Sequence, residues 1–137
     1  MEAFKGGDPK VILRLAADIG HYIGDAHVPL HTTKNYNGQY TNQYGIHGFW
    51  ETRLPELFSA EYNFFVGGAS YLPNFREKIW QVVRESHALL PMTLEVERQL
   101  STTFRKKGKY SYEERSGRTE KTYSFAFSQA YHQASRA

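Results

Sequence analysis

The chain has 137 residues, 17 Lys and Arg against 14 Asp and Glu, a formal charge of +3 and no cysteine. This length fits one domain able to bury a sizeable core, so no metal or disulfide is needed merely to fold it, and a metal site here is better read as functional than as structural. Lack of cysteine excludes thiolate zinc sites, disulfide frameworks and cysteine nucleophiles. The small charge does not by itself imply nucleic-acid binding, and no apolar run approaches the ~20 residues of a transmembrane helix.

The opening residues MEAFKGGDPK lack the apolar core of a signal peptide, so the expectation is either a cytoplasmic protein or one whose leader has been removed. Asp8 followed by Pro9 reads as an N-cap with proline in the first helical turn. The helix so begun carries Ile12, Leu15, Ala16, Ile19 and Ile23 at helical spacing, which predicts a buried stripe, with Asp18, His21, Tyr22 and Asp25 on a neighbouring polar one. It should end near Ala26 or His27, because Pro29 disfavours helical geometry at Val28 and brings His31 around beside Asp25.

Residues 32–45 are polar and turn-forming, with Asn37-Gly38 the strongest signal, and predict a loop. A short helix from about Ile46 presents His47, Trp50 and Glu51, and Pro55 ends or kinks it. Leu57 to Leu72 is aromatic and irregular and predicts a packing loop. Pro73 and Asn74 open a long helix running to Pro91, and a further helical stretch follows from Met92 to Phe104, as a kinked continuation or a new helix. The charged, glycine-punctuated segment after Phe104, including the basic run Arg105-Lys106-Lys107, predicts a solvated loop or linker. Tyr123 to Ala134 reads as a last helix. The fold class expected is all-α, a single helical domain over 1–137.

Chemistry concentrates between His21 and Glu51, in HYIGDAHVPLH and GIHGFWE. His21 with Asp25 and His47 with Glu51 are each four residues apart, which on a helix places both side chains on one face. With His31 these make five candidate ligands of the imidazole and carboxylate type that suits zinc and similar ions. The bland alternative is a polar network in which Asp25 and Glu51 accept protons from His21 and His47. Asp18 could orient His21 from behind. His27 reads as a supporting or surface residue, and His87 and His132 stand alone and read as structural. One divalent ion on this set gives zero formal charge, and two give a surplus of two positive charges that would attract a phosphodiester.

HYIGDAHVPLH followed by GIHGFWE resembles the metal-binding core of the zinc-dependent phospholipase C / S1-P1 nuclease family, all-α enzymes that cleave phosphate esters with a three-zinc cluster. The resemblance implies that His21 ligates one zinc and that Asp25, the catalytic metal bridge, links it to another. It implies that His31, His47 and Glu51 hold a remaining zinc. It also implies secretion or a periplasmic location, and a phospholipid or nucleic-acid phosphate ester as substrate. In the family the nucleases usually have aspartate at the last of these positions; glutamate at 51 matches the bacterial phospholipases. The family's N-terminal ligands and upstream Asp and His have no counterpart among the twenty residues before His21. The expectation is therefore a central fragment of a longer metallohydrolase, incomplete at both ends and holding one or two zinc ions. His31, His47 and Glu51 alone suffice for a tetrahedral zinc with an open position. The alternative function is a catalytically incomplete helical module that binds metal or serves structure.

Overall fold

A computed structural model describes residues 2–104 and 106–136. A short α1 (Glu2–Gly6) precedes α2 (Pro9–Ala26). The Asp8 carboxylate accepts the Lys10 backbone N–H at 2.9 Å, and Pro9 occupies the first turn, as their order in the sequence requires. The last turn of α2 meets α5 (Phe75–Thr103), where Ser86 Oγ donates to the Ala26 carbonyl at 2.8 Å. No residue of α2 is buried. The predicted stripe is therefore apolar without being covered, and its Leu15, Ile19 and Ile23 are exposed. Periodicity identifies the apolar side of a helix but says nothing of what packs on it.

A 3-10 turn (Pro29–Thr32) carries His31, and the polar loop behind it leads into α3 (Ile46–Gly48), a π-helical turn (Phe49–Arg53) and α4 (Leu54–Phe58). Pro55 sits in the first turn of α4, where its missing N–H costs nothing. After a 3-10 turn (Ser59–Glu61) the chain has no regular structure until α5, and Phe64, Phe65, Val66 and Tyr71 are exposed. Of the aromatic stretch expected to pack, Phe58 lies in the core with Tyr62 against it, whereas the part from Phe64 onward does not pack.

Helix α5 runs unbroken through Pro91. Proline removes the hydrogen bond to the carbonyl four residues back and would ordinarily kink or end the helix. Here Val82, Ser86 and Leu90 before it and Thr93 and Glu97 after it form one buried side, so packing on both sides of the break holds the two halves in line. Asn74 caps the start, accepting from the Glu77 N–H at 3.2 Å and donating to the Glu77 carboxylate at 2.9 Å.

The fold is not all-α. Beyond α6 (Lys106–Lys109), β1 (Tyr110–Arg115) and β2 (Arg118–Tyr123) form an antiparallel hairpin, which precedes α7 (Phe125–Ala134). The architecture is helices with one small sheet. Arg115 pairs with Arg118 across a two-residue turn in which Ser116 (φ 50°) and Gly117 (φ 76°) both adopt the left-handed conformation that a type I′ hairpin turn demands. Charge concealed this hairpin, because its strands are anchored by ion pairs as well as by apolar side chains. Arg53 grips the Glu113 carboxylate with both guanidinium branches, and Arg115 does the same to Glu56, at 2.9 and 2.6 Å. Tyr123 of β2 is buried, so the last helix begins two residues later than its sequence suggested, with Ser124 as cap. The reading of Arg105, Lys106 and Lys107 as a solvated run falls on side chains outside the described residues.

The apolar core gathers Leu30, Ile46, Phe49, Leu54, Phe58, Leu90, Tyr123, Phe127 and Tyr131. Phe49 lies among aromatic rings, with centroids 4.1 Å from Tyr123, 5.0 Å from Tyr131 and 5.8 Å from Phe127. Tyr131 donates to the Thr93 carbonyl at 3.0 Å, and burial raises its pKa above the ordinary phenol value, which keeps it a donor. Among the described residues no helix is long and apolar enough to cross a membrane.

Candidate metal centre

His47 and Glu51 are placed by a local arrangement that begins in the polar loop. Gly38 adopts φ +72°, and a Cβ there would lie 2.3 Å from the Gln43 carbonyl oxygen, so the loop closes this tightly only with glycine. Gln43 fastens the loop to α5, its side chain donating to the Leu94 carbonyl at 2.7 Å and to the buried Glu97 carboxylate at 2.6 Å. Thus held, Asn37 turns its Oδ1 to the N–H groups of Gly45 (3.1 Å) and His47 (3.4 Å), which the start of α3 leaves without helical partners.

The His47 ring is fixed in the same way. Its Nδ1 lies 3.2 Å from the Tyr36 carbonyl. A carbonyl only accepts, so this Nδ1 carries the proton and the neutral ring presents its Nε2 lone pair to the other side. Nε2 is 3.2 Å from Glu51 Oε2. A hydrogen bond from the imidazole to a backbone carbonyl is the usual support of a metal-ligating histidine.

Glu51 sits in the π-helical turn, where the Leu54 N–H reaches back to the Phe49 carbonyl, five residues away rather than four. Single π-turns are rare and recur at functional sites. Phe49 is buried on one side of this turn while Glu51 is aimed at the histidines on another.

His31 arrives from the opposite side. Val28 is extended before Pro29, Pro29 and Leu30 are buried, and the 3-10 turn then delivers His31 Nε2 to within 2.9 Å of Glu51 Oε1. The His31 and His47 rings meet edge to face at 4.9 Å. One donor atom from each of His31, His47 and Glu51 falls within 4.8 Å of the others.

These contacts are not hydrogen bonds. Although 2.9 and 3.2 Å lie within hydrogen-bonding range, Glu51 Oε1 is buried with no hydrogen-bond partner among the described residues. A buried acceptor left in this state is costly. Donor atoms around a tetrahedral zinc stand about 3.4 Å apart, given metal–ligand distances near 2.1 Å. The separations of 2.9 and 3.2 Å approach that edge length but reach different oxygens of Glu51, and one donor atom from each residue lies within 4.8 Å of the others, so the set is open to a polar network as well as to an ion.

The other predicted residues gather less closely. His21 Nε2 lies 3.4 Å from Asp25 Oδ2, and Asp25 Oδ1 lies 3.8 Å from His31 Nε2, so Asp25 stands between the two histidines. The His21 side chain is 73% exposed, however, and belongs to no three-donor group among the described residues. Asp18 is exposed and forms no ion pair with His21 among the described residues. His27 is also exposed, and its Nδ1–H donates to the Ile23 carbonyl at 2.8 Å.

Compared with protein-family models, with curated proteins and with solved structures, the chain has no match. The functional reading rests on the residues themselves. What sequence reasoning missed is the support of the ligands: the Tyr36 carbonyl, the Asn37 cap and the π-turn. Only Asn37 carried a signal, as a turn former before glycine.

Proposed function

We propose that this chain carries the metal-binding core of a zinc-dependent phosphoesterase, one that hydrolyses phosphodiesters in the manner of phospholipase C or S1/P1 nuclease. His31, His47 and Glu51 would hold one ion. Asp25, with His21, would serve a second. The observation that carries the reading is Glu51 Oε1, buried without a hydrogen bond yet 2.9 Å from an imidazole nitrogen. The order and spacing of the five ligand residues support it independently.

Zinc bound there would supply Lewis acidity toward a phosphoryl oxygen and a nucleophile from water at neutral pH. The protein's own share is orientation. Tyr36 sets the His47 tautomer, Asn37 fixes the start of its helix, and the π-turn directs Glu51 inward. With two neutral imidazoles and one carboxylate, the inner set leaves a divalent ion with net positive charge, which favours an anionic ester.

The test is zinc-loaded protein acting on bis(p-nitrophenyl) phosphate. Chelator-sensitive hydrolysis that His47→Ala abolishes supports the proposal, and hydrolysis that survives either treatment refutes it. A second reading, a metal-binding module without activity, draws on the exposure of His21. Stoichiometric zinc with no hydrolysis under these conditions would select it.

A further inference from the structure

The turn that bears His31 is too short to be rigid by itself. It is a four-residue 3-10 helix, and such turns have poor hydrogen-bond geometry. Its internal bonds are the His31 N–H to the Val28 carbonyl at 3.1 Å and the Thr32 hydroxyl to the Pro29 carbonyl at 2.7 Å. Something outside the turn has to hold it. His87 of α5 does so, its Nδ1 standing 2.9 Å from Thr32 Oγ1.

The direction of that bond can be worked out. A hydroxyl has one proton, and the Thr32 proton is committed to the Pro29 carbonyl. Thr32 Oγ1 therefore accepts, and His87 donates from Nδ1–H. On the preceding residue, Ser86 Oγ donates to the Ala26 carbonyl at 2.8 Å. Two adjacent side chains of one helix thus grip Ala26 and Thr32, the ends of the segment that carries His31. Pro29 and Leu30, buried between these grips, leave the segment little freedom to shift.

We infer that His87, with Ser86, is a positioning residue of the metal centre: acting through Thr32, it sets where His31 presents Nε2 to Glu51. This inference rests on the reading of His31, His47 and Glu51 as a metal site. Among the described residues His87 forms no hydrogen bond to the ligands themselves; its effect travels through one hydroxyl and one peptide. The neighbouring ring His31 is thereby supported from the backbone side, as His47 is supported by Tyr36.

The test is Co2+ titration of the full chain followed by visible absorption, which reads both affinity and coordination geometry. Removing a supporting hydrogen bond of a metal ligand weakens binding by about 10- to 100-fold, and an indirect support belongs at the lower end. His87→Leu is expected to weaken Co2+ binding about tenfold and to shift the absorption band. His87→Asn places an amide N–H where the imidazole Nδ1–H stood, and is expected to restore both. Thr32→Val, which removes the same bond from its other end together with the bond to the Pro29 carbonyl, should weaken binding at least as much even if His87→Leu folds poorly. Val96→Ala, on the same helix but packed against the core, should lower the melting temperature while leaving Co2+ affinity unchanged.

The inference is overturned if His87→Leu and Thr32→Val keep wild-type affinity and spectrum, if asparagine fails to rescue, or if Val96→Ala weakens binding as much as His87→Leu. Failure of the wild-type chain to bind Co2+ would instead refute the metal reading itself, and this inference with it.

Discussion

Replacing Glu51 by glutamine separates a metal centre from a polar network, because the two assign opposite signs to its effect on the metal-free protein. Without metal, Glu51 Oε1 is a buried charged acceptor with no hydrogen bond. Leaving a buried polar group unsatisfied costs about 1–3 kcal/mol. The Glu51 side chain is 29% exposed, so the lower end applies, and relief of about 1 kcal/mol is expected when the charge is removed. For a domain of this size that raises the melting temperature by about 4 °C. With zinc at 100 times its dissociation constant, the wild-type chain gains about 2.7 kcal/mol. Glu51→Gln loses most of this gain, so the order of stability reverses between chelator and zinc. Calorimetry or circular dichroism at pH 8, above the ordinary range of imidazole titration, measures both. If Glu51→Gln instead destabilises the chelated protein and zinc shifts neither melting curve, Glu51 serves the histidines as an ion-pair partner and the metal centre is refuted.

Gly38→Ala forces a Cβ to 2.3 Å from the Gln43 carbonyl at positive φ, and should destabilise the chain by more than about 1 kcal/mol in urea titration while weakening zinc binding through the displaced Asn37 cap. Lys109→Met leaves Glu97, fully buried and 2.6 Å from the lysine ammonium, without its counter-charge. Donors from Gln43 and Ser101 remain, so the loss should fall near about 3 kcal/mol, the low end for a broken buried pair, and show as an earlier urea midpoint. Hydrogen bonds from Arg115 and Arg53 hold Glu56 and Glu113 below the ordinary glutamate pKa. A depressed folded-state pKa contributes stability above the unfolded value and loses it as pH falls through the folded one, so hairpin docking should weaken only below the usual glutamate range. Near-ultraviolet circular dichroism of the hairpin tyrosines would follow this, and Arg53→Met should move the transition to higher pH.

Which parts of the molecule were legible in the sequence follows from how far apart the deciding contacts lie. Asp8-Pro9 and Asn74 announce helices because a cap acts within three residues. The His47–Glu51 pair is legible for the same reason, since its geometry is set by helical spacing. The hairpin was not, although Ser116-Gly117 is a proper turn signal, because its strands are charged and their anchors, Arg53 to Glu113 and Glu56 to Arg115, span 60 and 59 residues. The exposed stripe of α2 marks the same limit from the other side: its pattern is local, whereas burial depends on a neighbour.

The candidate centre combines both kinds of information. Spacing specifies which side chains can reach an ion. Whether they do depends on groups with no local signature: a backbone carbonyl eleven residues before His47, and a histidine 55 residues beyond Thr32 that looked solitary. His87 read as structural because nothing near it in sequence offers metal chemistry, and its bond to Thr32 is a tertiary contact that proximity in sequence does not reveal. A ligand set is local, but its rigidity is tertiary. The affinity of this centre should therefore respond to substitutions in α5 that leave every ligand in place.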